Sequence, residues 1–276
     1  MVNNIALISQ STAVSQGDAM TVAAAIQKQV TRDFGPLWNI DATVACIATL
    51  DQVPVGFWPV IVVDTVATGD LGIHGQRNRQ PIAFVEAVTG WSQTASHEIL
   101  EMLADPYANR LVPGDSVAGD GSRVEYLTEV CDPCQDPQFS YLVDGVTVSD
   151  FYTPQFFDAT GTTGARYDFV GAMSHPRQVL EGGYLSWHDP VSNHLFRADM
   201  IESQLYISDL GDVPDTAVSL RSHIDRRPST LSKRQVEPYV VERVSLPSYA
   251  RSVNHAVASK AKAGRLKSDF ESLRKK

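Results

Sequence analysis

The chain has 276 residues, 43% of them hydrophobic and 20% charged, which suffices for one large domain or one and a half ordinary ones with a proper core. No stretch approaches the roughly 20 consecutive apolar residues of a membrane helix. The net charge of −9 hides a division: residues 1–220 hold 9 basic and 27 acidic side chains, whereas residues 221–276 hold 14 and 5, so an acidic body precedes a basic tail.

In chain order, the first run, Met1-Val2-Asn3-Asn4-Ile5-Ala6-Leu7-Ile8, lacks a basic segment and is too short for a signal peptide. The expected setting is therefore cytoplasmic, or inside a virion-like particle assembled there. Residues 4–9 read as a strand. Residues 17–34 read as a helix in which Met20, Ala23, Ala24, Ile26 and Val30 recur at helical spacing, stopped by Gly35-Pro36. Residues 42–50 are a short apolar strand. Residues 58–66 are nearly continuous in apolar character and predict a central strand. A loop over 68–72 leads to a strand at 81–88, expected at a sheet edge, and to a helix starting near Ser92. The order β-α-β-β-β-α predicts an α+β fold: a mixed sheet with that last helix lying across it.

Beyond the helix come a loop at 113–122, an acidic knot Glu129-Val130-Cys131-Asp132, and a hairpin in which Asp144-Gly145 joins 141–143 to 146–148. Residues 150–200, aromatic and rich in glycine, read as loops and short strands finishing the same domain. Residues 221–238 read as a linker, and 248–273 as a basic helix with a thin stripe of Leu266, Phe270 and Leu273. The organisation expected is a body over 1–220 and a basic arm over 221–276.

The chemistry concentrates in residues 96–106, Ser-His-Glu-Ile-Leu-Glu-Met-Leu-Ala-Asp-Pro. At about 100° per residue, His97, Glu98, Glu101 and Asp105 share one sector, and Ala95, Ile99, Met102 and Leu103 take the other side. Asp105-Pro106 ends the helix, because the residue before proline is driven out of the α region. His97 and Glu101, one turn apart, suit a shared metal ion, and Glu98 stands where a water-activating base is needed. This is the logic of the zincin helix His-Glu-x-x-His with glutamate replacing the second histidine. The competing reading is an amphipathic helix whose polar face is simply solvated.

A catalytic zinc takes three protein ligands and a water. His97 and Glu101 provide two, and Glu129 or Asp132 the third, with Glu129 preferred and the other hydrogen-bonding His97 if the two share a helical turn. Asp105, about 12 Å along the helix from His97, suits a helix-end cap or an outer partner. His74, on the loop before the expected edge strand, is the remaining candidate ligand. One imidazole and two carboxylates make a hard site, at which Mn²⁺ or Ca²⁺ competes better with Zn²⁺. The three cysteines are a poor disulfide framework. Cys46 reads as a buried small hydrophobe, and Cys131-Asp132-Pro133-Cys134 as a tight structural turn, with metal or redox use of its CxxC spacing the alternative.

The helix and knot together resemble a group of bacterial and phage proteins that pair a Ser-His-Glu-x-Leu-Glu-Met-x-x-Asp-Pro helix with a downstream Glu-Val-x-Asp segment. The resemblance spans roughly residues 38–185, including Leu71-Gly72-Ile73-His74 and the stretch from Gly145 to Pro154. The group is regarded as metallopeptidase-like and zincin-like. His97, Glu98, Glu101, Glu129 and Asp132 all match the group's pattern, and the reading of those residues gives the expectation of a zinc-dependent peptidase with His97, Glu101 and Glu129 or Asp132 as ligands and Glu98 as catalytic base, acting on a peptide or protein. A different class stays open beside it: an inactive zincin-fold assembly protein of a phage-like particle. The basic tail is outside the resemblance. Its expected partner is another copy's acidic body, giving a homo-oligomer, with nucleic acid the weaker alternative.

Overall fold

Strand β1 (Asn3–Ser9) buries Ile5, Ala6, Leu7 and Ile8 in succession, the pattern of a strand covered on both faces. It pairs in parallel with β2 (Ala42–Cys46) on one side and β3 (Phe57–Val63) on the other. The computed structural model describes residues 2–66, 70–213 and 219–225. The rest of the expected linker and helical arm lies outside them. β4 (Gly72–Arg77) and β5 (Gln80–Glu86) form an antiparallel hairpin, and β5 runs parallel to β3, giving the order β2-β1-β3-β5-β4. The sheet is thus mixed, with β3 at its centre as the apolar run predicts. The fold is α+β.

Two expectations need correction here. Residues 72–77, treated as loop and approach to a strand, are the edge strand itself, and the 81–88 strand is internal. The hairpin turns on Asn78 and Arg79, both left-handed at φ 54 and 64. With arginine at the second position this turn lacks the glycine that normally marks it. The first helix also differs. α1 (Gln16–Gln29) opens on a capping box between Ser15 and Asp18 and does not stop at Gly35-Pro36. It passes through a π-helical turn, Val30–Phe34, into α2 (Gly35–Trp38). Pro36 lies in the first turn of α2, where the missing N–H costs little. The buried stripe of α1 is Ala19, Val22, Ala23 and Ile26, while Met20 and Ala24 face solvent.

α1 and α3 (Trp91–Ala104) pack on the Ile5, Leu7, Val60, Val62, Ala83 and Val85 face of the sheet. Ala6, Ile8 and Ile61 on the opposite face are covered by Ile47 and Val53. After α3, β6 (Leu111–Asp115) and β7 (Arg123–Leu127) begin a second sheet. The expected hairpin follows as β8 (Tyr141–Val143) and β9 (Val146–Val148), turning on Asp144 and Gly145 with φ 49 and 85. β10 (Tyr184–Asp189), β11 (His194–Ile201) and β12 (Gln204–Asp212) complete an antiparallel sheet ordered β12-β11-β10-β7-β6. This half is more regular than loops and short strands. The β11–β12 hairpin turns on Glu202 and Ser203, both at positive φ, residues that signal no turn in sequence. A last helix, α4 (Leu220–Asp225), buries Ile224 against Leu127, Leu195 and Leu210.

Candidate metal centre

α3 ends at Asp105 before Pro106, and every residue from Ala95 to Ala104 is buried. His97 retains 8% exposure, Glu98 2% and Glu101 none. A solvated polar face is therefore excluded: the polar side of this helix is as buried as the apolar side, and something must compensate its charges. Ser96 helps to lock the helix. Its hydroxyl donates to Gln29 Oε1 of α1 at 2.8 Å and accepts from the Ser149 N–H at 3.1 Å, while Gln29 Nε2 donates to the Ser149 carbonyl at 2.9 Å.

Glu101 is the hub. Its Oε1 accepts the backbone N–H groups of Cys131 and Asp132 at 3.1 and 3.3 Å, which ties the acidic knot after β7 to the helix. That leaves Oε2 aimed at three groups: His97 Nε2 at 3.2 Å, His74 Nδ1 at 3.5 Å and Arg221 Nη1 at 3.4 Å. Asp132 reaches His97 Nε2 through Oδ1 at 3.2 Å and Arg221 Nη1 through Oδ2 at 2.8 Å. Glu129 Oε2 lies 3.2 Å from Arg221 Nη1 and 3.5 Å from His74 Nε2. Glu98 Oε2 is 3.4 Å from His74 Nδ1. The carbon of Gly72, next to His74's neighbour on β4, lies against Glu98. A Cβ there would fall on Glu98 Oε1 and within 2.6 Å of Thr94 Cγ2.

The residues singled out on the helix and knot, His97, Glu98, Glu101, Glu129 and Asp132, are thus gathered in one buried cluster. Glu129 and Asp132 do not share a helical turn: Glu129 lies outside any helix or strand, just after β7, and Asp132 opens the short 3₁₀ turn Asp132–Cys134. Asp105 stands apart as the helix-end group, its Oδ2 accepting the Arg110 N–H at 2.6 Å. His74 is not an exposed loop histidine but a fully buried side chain on β4. Its burial follows from alternation along a strand whose inner face meets α3, and that strand was not legible in the sequence. Arg221, assigned to the basic arm, is instead buried on α4 within the cluster. The only sequence signal for it is indirect, namely that buried carboxylates require a cation.

Electrostatics follow from this crowding. Burial works against protonation of His97, but the charge of Glu101 and the acceptor oxygens of Asp132 and Glu101 outweigh it and raise its pKa well above the ordinary value. Burial pushes Glu101 up, yet His97 and Arg221 hold it below the usual carboxylate range. Glu129 is raised well above that range by burial and by neighbouring Glu101 and Asp132, against the opposing pull of Arg221. Cys131 and Cys134 are free buried thiols, raised mainly by burial. They close the expected tight turn, with the Cys134 N–H on the Cys131 carbonyl at 3.0 Å. Cys46 is half-buried rather than buried.

The donor set fits a cation. Among the described residues, ten buried side-chain N or O atoms lack a hydrogen-bond partner, and six are here: both ring nitrogens of His74, Glu98 Oε2, both oxygens of Glu129, and Asp132 Oδ1. Their contacts of 3.2–3.5 Å are too long or misaligned for hydrogen bonds, and each unpaired atom costs about 1–3 kcal/mol. Three groups of ligand atoms lie within 4.8 Å of one another, and Glu101 belongs to all three: with His97 and Cys131, with His74 and Glu98, and with Glu129 and Asp132. No protein-family model, curated protein or solved structure matches this chain. The site must therefore be read from its own chemistry.

Proposed function

We propose that the chain is a metal-dependent peptidase of the zincin-like kind, with a divalent cation, Zn²⁺ before Mn²⁺ or Ca²⁺, held by His97 and Glu101 of α3 and by Glu129 or Asp132. The observation that carries this reading is the clustering of six unpartnered buried polar atoms around Glu101, whose Oε2 faces His97 Nε2 at 3.2 Å and His74 Nδ1 at 3.5 Å. When bound, such a cation lowers the pKa of a coordinated water and polarises a carbonyl. Glu98 Oε2, with no hydrogen-bond partner of its own, takes the proton from the attacking water and delivers it to the leaving amine. Glu101 is oriented for its part by the two N–H groups on Oε1. A mixed sheet followed directly by the motif helix supports the resemblance. The edge available to an extended peptide is that of β4, not the strand at 81–88.

The test is metal analysis of purified protein with peptide hydrolysis by wild type and Glu98→Gln. A stoichiometric divalent metal in both, and hydrolysis in wild type alone, is expected. Absence of metal after reconstitution overturns the reading.

One observation favours a second reading. Glu98 is buried and Arg221 already neutralises carboxylates in the cluster, which suits an assembly protein whose metal only braces α3 against the knot. In that case Glu98→Gln preserves biological function, and His97→Ala lowers the melting temperature.

A further inference from the structure

The strongest unassigned group in the cluster is His74. Its imidazole is fully buried, both nitrogens lack a hydrogen bond, and it comes from the edge strand rather than from the helix or the knot. A neutral imidazole has one donor and one acceptor nitrogen, and a protein interior seldom leaves both unused.

The surroundings of its two nitrogens differ. Nδ1 faces Glu98 Oε2 at 3.4 Å and Glu101 Oε2 at 3.5 Å, while Nε2 faces Glu129 Oε2 at 3.5 Å. Ligands about 2.0–2.1 Å from a tetrahedral zinc stand about 3.3–3.4 Å from one another. The separation of His74 Nδ1 from Glu101 Oε2 is 3.5 Å, and those of His97 Nε2 from Glu101 Oε2 and from Asp132 Oδ1 are both 3.2 Å. Taken in turn, His74 and Glu101, Glu101 and His97, and His97 and Asp132 are thus each spaced as neighbouring corners of a coordination shell. Glu129 also comes near Glu101 and Asp132, but its Oε2 lies against the far nitrogen of His74 and against Arg221.

We infer that His74 is a metal ligand through Nδ1, beside His97, Glu101 and Asp132, and that Glu129 is not a ligand but the carboxylate that accepts the His74 Nε2–H. This inference rests on the metal-site reading above and decides between Glu129 and Asp132; with four protein donors, the water of the peptidase reading would enter as a fifth ligand. A ligating histidine that donates its other N–H to a carboxylate has its tautomer and ring orientation set by that bond. Two imidazoles also make the site softer than one imidazole with two carboxylates, which favours Zn²⁺ or Co²⁺ over Ca²⁺.

The experiment uses the full chain loaded with Zn²⁺, and reads its ligands by X-ray absorption and its affinity by competition with a chromophoric chelator. Two imidazoles are expected in wild type, one in His74→Ala, and still two in Glu129→Gln, whose affinity falls 10–100-fold. A single imidazole in metal-loaded wild type, or loss of an oxygen ligand in Glu129→Gln, overturns the assignment while leaving the metal site standing. Failure of wild type to bind Zn²⁺ removes both. The wild-type spectrum decides the matter even if His74→Ala does not fold.

Discussion

Arg221 Nη1 lies 2.8 Å from Asp132 Oδ2, and the same nitrogen is 3.2 Å from Glu129 and 3.4 Å from Glu101. α4 holds it there by burying Ile224 and by the Leu220 N–H donated to Asn109 Oδ1 at 2.8 Å. A guanidinium so placed balances the carboxylates before a metal binds and repels a divalent ion afterwards. Arg221→Met should destabilise the metal-free protein by about 3–5 kcal/mol, the usual cost of leaving buried charges uncompensated. It should also tighten Zn²⁺ binding. Urea unfolding with and without Zn²⁺ measures both. Weaker Zn²⁺ binding in the variant would show that Arg221 supports the ion instead of opposing it.

Gly72 lies against the Glu98 carboxylate. Gly72→Ala places a methyl group on Glu98 Oε1 and near Thr94, so the Glu98 side chain must move. The expected result is hydrolysis reduced at least tenfold, metal content unchanged, and stability lowered by about 1–3 kcal/mol from overpacking. Unchanged turnover at full metal loading contradicts the placement of Glu98 as base.

Ser96→Ala leaves the buried Ser149 N–H and Gln29 Oε1 without the hydroxyl that joins them. The loss should be about 1–3 kcal/mol, read as a lower urea midpoint with an unchanged slope. A midpoint within error of wild type would mean that the network contributes nothing to the docking of α3 on α1.

A pH effect is expected away from the candidate metal centre. Burial, together with the charge of Asp168 and a hydrogen bond to it, raises the pKa of Asp150 well above the ordinary carboxylate value. The folded state therefore holds a proton that the unfolded chain releases. Its contribution is fully present below the unfolded pKa of about 3.9 and is lost as pH rises through the folded value. Asp150→Asn retains an acceptor for the Val170 N–H, now at 3.0 Å from Asp150 Oδ1, and needs no such proton. Its stability relative to wild type should increase with pH from 4 to 8. A difference independent of pH would show that Asp150 is not protonated in the folded protein.

Local signals carried much of this protein. The α3 helix with its proline stop, the Asp144-Gly145 hairpin, the central apolar strand and the gathering of His97, Glu98 and Glu101 on one face all depend on neighbours within a few residues, which periodicity and turn chemistry register directly. Tertiary structure alone decided what joins that face. His74 enters because β4 pairs antiparallel to β5 through a turn with no glycine signature, and Arg221 enters because α4 docks Ile224 some 90 residues in sequence from the Glu129–Asp132 knot. Such contacts come from strand pairing and apolar burial between distant segments, and charge composition over 221–276 pointed instead to a separate arm. The sequence by itself determined a helix that carries His97, Glu98 and Glu101 on one face. Only the packing of β4, the knot and α4 around it decided which donors meet and that they do so out of water.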